Sequence, residues 1–173
     1  MPRYDDAKIK NYEDKYLETK FNYLIELLNI SVKNKAYARF VVGTMSSGWT
    51  NDQVDYLCDG INDQEQINDA INDLPSSGGE IIILDGTYNI TAPILIINKG
   101  NITLSGNGVN TVLKRMWVSL SLQGMIILNN SHRCNINNLC VDGNRSIYNH
   151  INNNGIHIEN LSSNIIIRDN ILI

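Results

Sequence analysis

The residues that could do chemistry in the second half of the chain are few. Asp142 opens an Asp-Gly turn, Arg168 and Asp169 are adjacent, and Lys114-Arg115 closes an apolar run. A polysaccharide lyase needs acidic calcium ligands and an Arg or Lys base on one face. A glycoside hydrolase needs two carboxyl groups at a defined separation. Asp142, Asp169 and Arg168 are the weak candidates for such roles. On a strand, Arg168 and Asp169 face opposite sides and cannot form one site unaided. The pairs Asp85-Gly86 and Asp142-Gly143 read more simply as turns than as calcium ligands. Trp117, Tyr148 and His150 could stack on sugar rings, with ordinary surface side chains as the plainer reading. His132, His150 and His157 are scattered, and Cys58, Cys134 and Cys140 have neither metal-ligand nor disulfide spacing. Buried free thiols are therefore expected. No phosphate loop, nucleophile elbow or metal cluster occurs, so no cofactor and no metal is expected.

The chain that must position these groups has 173 residues, 43% of them hydrophobic and 18% charged, which suits a folded protein. Its net charge of −4 argues against nucleic acid as the main partner. The abundance of Asn and Ile suits a stacked β-architecture with polar turns, and an AT-rich genome would give the same bias. The start, Met1-Pro-Arg-Tyr-Asp-Asp, lacks the basic and apolar regions of a signal peptide, and no stretch is long and apolar enough to span a bilayer. Synthesis in a cytoplasm, without membrane insertion, is the expectation.

Residues 5–30 lack Pro and Gly, are rich in Lys, Glu and Leu, and read as a helix. Ile9, Tyr16, Tyr23 and Ile30 recur every seven residues, and Phe21, Leu24 and Leu28 widen the stripe. That recurrence suggests a coiled-coil stalk, with oligomerisation through Ile9, Tyr16, Tyr23, Leu24, Leu28 and Ile30. An amphipathic helix packed on its own domain is the alternative. Residues 36–79 read as a connector followed by a cap. Asp59-Gly60 makes a turn, and Asn62 or Asp63 starts a short helix with Glu65 or Gln66 completing a capping box. Ile67, Ile71 and Leu74 give that helix one apolar face, and Pro75 to Gly79 end it.

From Glu80 onward, short β-branched runs alternate with Asn/Gly turns. A shift of 31 residues superposes Met125 on Ile156, Ile127 on Ile158, Asn129 on Asn160 and Ser131 on Ser162. The same shift superposes Cys134 on Ile165, Ile136 on Ile167, Asn138 on Asp169 and Val141 on Leu172. Self-similarity at a fixed offset is the mark of a repeat architecture. The stretch from Asn101 to Gly108 fits one coil further back, and the polar segment Gly143 to Gly155 should loop out. The fold class expected is mainly β: a single-stranded right-handed parallel β-helix, with Leu104, Ile136 and Ile167 in one apolar column and Asn129 over Asn160. An N-terminal α-helical stalk (1–35) and a short capping helix precede it, and the first coils occupy 80–173. The apolar last coil suggests that the β-helix continues beyond this fragment.

These residues carry a resemblance. The stretch Ala38-Arg-Phe-Val-Val-Gly-Thr, Val54-Asp-Tyr-Leu-Cys-Asp-Gly, Ile67-Asn-Asp-Ala-Ile-Asn-Asp-Leu-Pro and Leu84-Asp-Gly-Thr-Tyr-Asn-Ile resembles the N-terminal region of pectate-lyase-like β-helix proteins of phages and prophages of Gram-positive bacteria. The resemblance implies a tail fibre or tailspike, commonly a homotrimer, attached to a phage baseplate or tail protein. It implies a virion location and recognition of a host cell-surface glycan. Because that superfamily includes enzymes and inert adhesins alike, activity does not follow from the fold. The thin set of acidic residues favours a non-enzymatic role for this fragment. A lyase or hydrolase with its active site on later coils or between subunits is the alternative.

Overall fold

A computed structural model describes residues 14–26, 38–118, 123–149 and 153–173. Its contacts divide the chain into two units, Met1–Lys35 and Ala36–Ile173.

In the first unit, residues 14–26 form helix α1. Leu17, Phe21 and Leu24 follow an i, i+4, i+7 spacing and are 64%, 64% and 56% exposed. Tyr16 and Tyr23 share a different line, one residue or roughly 100° round the helix. Of the residues expected to oligomerise, Tyr16, Tyr23 and Leu24 lie in α1, Leu24 about 100° round the helix from the two tyrosines. Ile9, Leu28 and Ile30 lie outside the described residues.

The second unit is built from parallel strands. They are β1 (Ala38–Thr44), β2 (Tyr56–Cys58), β3 (Gly79–Ile83), β4 (Gly86–Ile90), β5 (Ile94–Ile97), β6 (Ile102–Arg115), β7 (Gln123–Asn129), β8 (Asn135–Asp142), β9 (Asn153–Glu159), β10 (Ile166–Arg168) and β11 (Ile171–Leu172). A 3-10 turn, Met45–Ser47, and helix α2, Gln64–Asp73, complete it. One sheet runs β2-β1-β3-β6-β8-β10, with β4 beside β6 and β11 beside β8. The other runs β5-β7-β9. Every strand pairing between described residues is parallel. The protein is thus mainly β with parallel sheets.

The pairing follows a repeating order. Strands β3, β4 and β5 pair in turn with the first part of β6, the second part of β6, and β7. Those pair in turn with the two parts of β8 and with β9. Side chains at paired positions fall on one another, and the apolar ones make the core. Ile81, Leu104 and Ile136 are level and fully buried, and Ile167 comes next at 42% exposure on the sheet's outer strand. Tyr88, Leu113 and Val141 form a second column. Ile94 and Ile126 start a third, with Ile156 packed against them from the edge. Close packing of β-branched side chains on a pleated surface is what these short apolar runs favour.

The bends that follow β5, β7 and β9 are made by left-handed residues, and they too are level. Asn98, Asn130 and Asn160 follow one another just beyond β5, β7 and β9, each with φ between 48° and 55°. Asn101, Arg133 and Asn164 repeat the geometry beside the bridges Gly100 to His132 and His132 to Ser163. Asn tolerates this region because its short amide hydrogen-bonds locally. The amides also bond between levels: Asn130 Nδ2 donates to Asn98 Oδ1 at 2.8 Å, and Asn160 Nδ2 to Asn129 Oδ1 at 2.9 Å.

The constant offset of 31 needs one correction. It holds in β8 against β10 and β11, where Ile136 meets Ile167 and Val141 meets Leu172. In β7 against β9 the offset is 30: Ile126 meets Ile156, Leu128 meets Ile158, and Asn129 meets Glu159. The missing residue is recovered before Ser163, which again lies 31 beyond its partner His132. Met125 and Ile127 therefore do not face Ile156 and Ile158.

Helix α2 covers the edge of the β3-β4-β5 level. Ile67, Ala70, Ile71 and Leu74 are buried on its inner face. Its polar side chains take up backbone donors that no strand reaches. Asp63 Oδ2 accepts Asn89 N–H at 2.7 Å, Gln64 Oε1 accepts Thr91 N–H at 3.0 Å, and Asn68 Oδ1 accepts Leu95 N–H at 2.8 Å. The expected capping box is absent. Asp63 makes no side-chain cap bond, because its carboxylate is committed to Asn89 N–H and to Gly60 N–H at 2.8 Å. Gly78, at φ 95°, lets the chain leave the helix, where a Cβ would lie 2.3 Å from the Asn101 carbonyl oxygen.

Candidate functional site

Strand β6 ends with Thr111, Leu113 and Arg115 turned inward and buried. Alternation thus places a guanidinium where the preceding strand positions place apolar groups. Arg115 is fully buried, and no carboxylate among the described residues pairs with it. Its Nη2 donates to the Asn154 carbonyl at 2.6 Å and its Nη1 to Asn153 Oδ1 at 3.5 Å. The guanidinium also stands 4.0 Å from the centroid of the Trp117 ring, a cation–π distance. Nε has no partner. Burial pulls the Arg115 pKa down from the ordinary guanidinium range to about 10.

The segment after β8 is tied to the same place. Asp142 Oδ1 accepts Asn144 N–H at 2.7 Å, which makes the Asp-Gly corner a side-chain-supported turn. Asn144 is buried, adopts φ 46°, and donates from Nδ2 to the Arg115 carbonyl at 3.0 Å. Tyr148 N–H returns to the Asn144 carbonyl at 2.9 Å, and Asn153 Nδ2 donates to the Tyr148 carbonyl. A cleft of about 440 Å³ opens beside this knot. Arg145, Tyr148, Asn149 and Asn153 supply its polar wall, and Val141 and Leu172 its apolar one. Among the described residues, no carboxylate side chain lines it. It offers hydrogen-bond donors and an aromatic ring, which suits hydroxyl-rich ligands better than proton abstraction.

The expected site residues divide accordingly. Trp117 and Tyr148 reach the same neighbourhood, joined through Arg115, Asn144 and Asn153. His150 lies outside the described residues. Asp142 serves its own turn and is level with Lys114 on β6. Arg168 is exposed and level with Asn137, and Asp169 occupies a left-handed bend at φ 56° between β10 and β11. No ion pair between described residues joins Asp142, Arg168 and Asp169. The residue that organises the neighbourhood, Arg115, is one that the sequence reading treated as a strand end. Its parity with Leu113 was the available signal.

Three further points bear on the chemistry. Cys58, Cys134 and Cys140 are free and buried, and burial raises the pKa of each thiol. No group of His, Cys, Asp or Glu among the described residues is arranged to hold a metal ion. No described helix is long and apolar enough to cross a membrane. Comparison of the chain with protein-family models, curated proteins and solved structures finds no match.

Proposed function

We propose that the second unit is the capped beginning of a right-handed parallel β-helix, and that the chain is the N-terminal part of a phage tail fibre or tailspike. The observation that carries the reading is the threefold strand order that recurs in register, with left-handed residues level at the bends after β5, β7 and β9 and α2 covering one edge. A stack of this kind is quasi-one-dimensional and needs a covered end. It supplies rigidity along one direction, which an appendage requires. The resemblance of residues 38–115 to phage pectate-lyase-like proteins supports the same reading. Helix α1, with its exposed Leu17, Phe21 and Leu24, is proposed as the trimerisation handle that meets the baseplate. Trp117 and Tyr148, brought together through Arg115, Asn144 and Asn153, are proposed to hold a host-surface glycan by stacking and hydroxyl contacts.

Light scattering on the full chain is expected to give a trimer, and Phe21→Ser to shift it towards monomer. A monomer for the unsubstituted chain at micromolar concentration sinks the stalk reading. For the glycan, Trp49→Phe leaves Trp117 as the only tryptophan. Its fluorescence is expected to change on titration with host cell-wall polysaccharide, and Tyr148→Ala to weaken the response about tenfold or more. A flat titration removes the binding reading. Release of unsaturated or reducing ends from the same polysaccharide would favour a depolymerase instead.

A further inference from the structure

The chain contains two Asn-Gly pairs, Asn107-Gly108 and Asn154-Gly155. Such pairs are chemically labile, because glycine offers no side chain to hinder attack by its backbone nitrogen on the asparagine amide. Their surroundings here are opposite. Asn154 lies within β9, level with Gly124, and its carbonyl is held by Arg115 Nη2 at 2.6 Å. A Cβ at Gly155 would already meet Leu172 at 3.0 Å, so that backbone is hemmed in. Asn107 is exposed, in the stretch of β6 where the register with β8 shifts on both sides of Gly108. Gly108 has φ 63°, and nothing lies within 4 Å of its Cβ position. A five-membered ring has room on the Gly108 side, while the Asn107 N–H is held by Thr111 Oγ1 at 2.9 Å.

We propose that Asn107 is the preferred of the two pairs for spontaneous deamidation in the folded protein, with water as the only co-reactant. Gly108 N bonds to Asn107 Cγ, the Cγ–Nδ2 bond breaks, and the glycine proton leaves with the amide as ammonia. Water then opens the succinimide at either carbonyl and leaves aspartate or isoaspartate at position 107. No oxidation or reduction occurs. The change has a structural consequence. Asn107 Nδ2 donates to Asp85 Oδ1 at 2.8 Å, while the Asp85 carbonyl accepts Trp49 Nε1–H at 2.9 Å. Deamidation exchanges the donor for a second carboxylate, so attraction between the β3-β4 turn and the β6 bulge becomes repulsion.

The test is incubation of the full folded chain at mildly alkaline pH, followed by peptide mass mapping of both pairs. Conversion at Asn107 is expected to run several-fold faster than at Asn154, and the two rates are expected to converge in denaturant. Equal rates in the folded protein, or a faster Asn154, overturn the proposal. Asn107→Gln keeps an amide but cannot form the five-membered ring, and is expected to abolish conversion at that position. Asn107→Asp is expected to melt below Asn107→Gln at neutral pH, the gap closing as pH falls through the carboxylate range. Equal melting of the two at neutral pH removes the claimed repulsion with Asp85.

Discussion

Among the described residues, ten non-glycine positions adopt positive φ, and eight of them are asparagine. The exceptions are Arg133 and Asp169. Arg133 stands at a bend where its level partners are Asn101 and Asn164, and all three have φ between 52° and 57°. A left-handed conformation places Cβ against the carbonyl oxygen, at roughly 1–2 kcal/mol for an ordinary residue and less for asparagine. Arg133 is exposed, and its N–H donates to the Ser163 carbonyl, a bond that any residue but proline preserves. Arg133→Asn is therefore expected to stabilise the protein by ~0.5–1 kcal/mol. Thermal unfolding should show a rise of about 2–4 °C per kcal/mol gained. A lower midpoint would mean that the arginine stem makes contacts worth more than the strain. Arg115 shows the limit of residue-level reading. Its parity with Thr111 and Leu113 marks it as inward, yet arginine is almost never fully buried unless paired. Only the placement of Trp117 and Asn154 explains how this one is accommodated.

At the scale of elements, α2 does two jobs that differ in size. Its apolar face seals the core through Ile67, Ile71 and Leu74, and its polar side chains occupy donors at Asn89, Thr91 and Leu95. Truncating a fully buried isoleucine removes transfer energy and leaves a cavity, about 2–5 kcal/mol together. Removing one hydrogen bond near solvent costs about 0.5–1.5 kcal/mol, because water can replace it. Ile71→Ala is thus expected to lower the urea-unfolding free energy several times more than Asn68→Ala. Hydrogen exchange should add a signature: Asn68→Ala speeds exchange at Leu95 N–H while the β6 and β8 amides stay protected. Comparable losses for the two variants would overturn this ranking. The apolar face of α2 was legible in sequence, since i, i+4, i+7 spacing survives any context. The register of β7 was not. Met125 to Leu128 is an unbroken apolar run, so shifts of 30 and of 31 match it equally well, and alternation cannot choose between them. In β8, with Ile136, Asn137 and Asn138 in sequence, the polar positions pin the register, and there the offset of 31 holds.

On the scale of the whole molecule, buried titratable groups are spread along the stack of strands. Cys58 and the half-buried Tyr56 lie on β2 and Tyr88 on β4, while Cys134 lies just before β8 and Cys140 within it. In all five, burial is the largest cause of a pKa raised above the ordinary value of 9.0 for the thiols and 10.0 for the phenols. The unfolded chain loses these protons first, so above pH 9 it binds fewer protons than the folded one. Stability then falls with rising pH, and the contribution is fully present only below the unfolded-state values. Arg115 acts in the opposite sense. Its folded pKa of about 10 lies below the ordinary guanidinium range, so its burial penalty is relieved only as pH climbs above about 10. Between neutral pH and pH 10 the thiols therefore set the sign. The urea midpoint is expected to hold steady from about pH 7 to 8 and to drop progressively from about pH 9. Cys58→Ala is expected to start from a lower midpoint, because it opens a buried cavity, yet to show a shallower slope in that window. A midpoint that is constant up to pH 10, or a Cys58→Ala slope as steep as the unsubstituted chain's, would show that the thiols reach solvent before the strands separate. That outcome would contradict a core that stays closed along its length, since Cys58 and Cys134 are almost completely excluded from water.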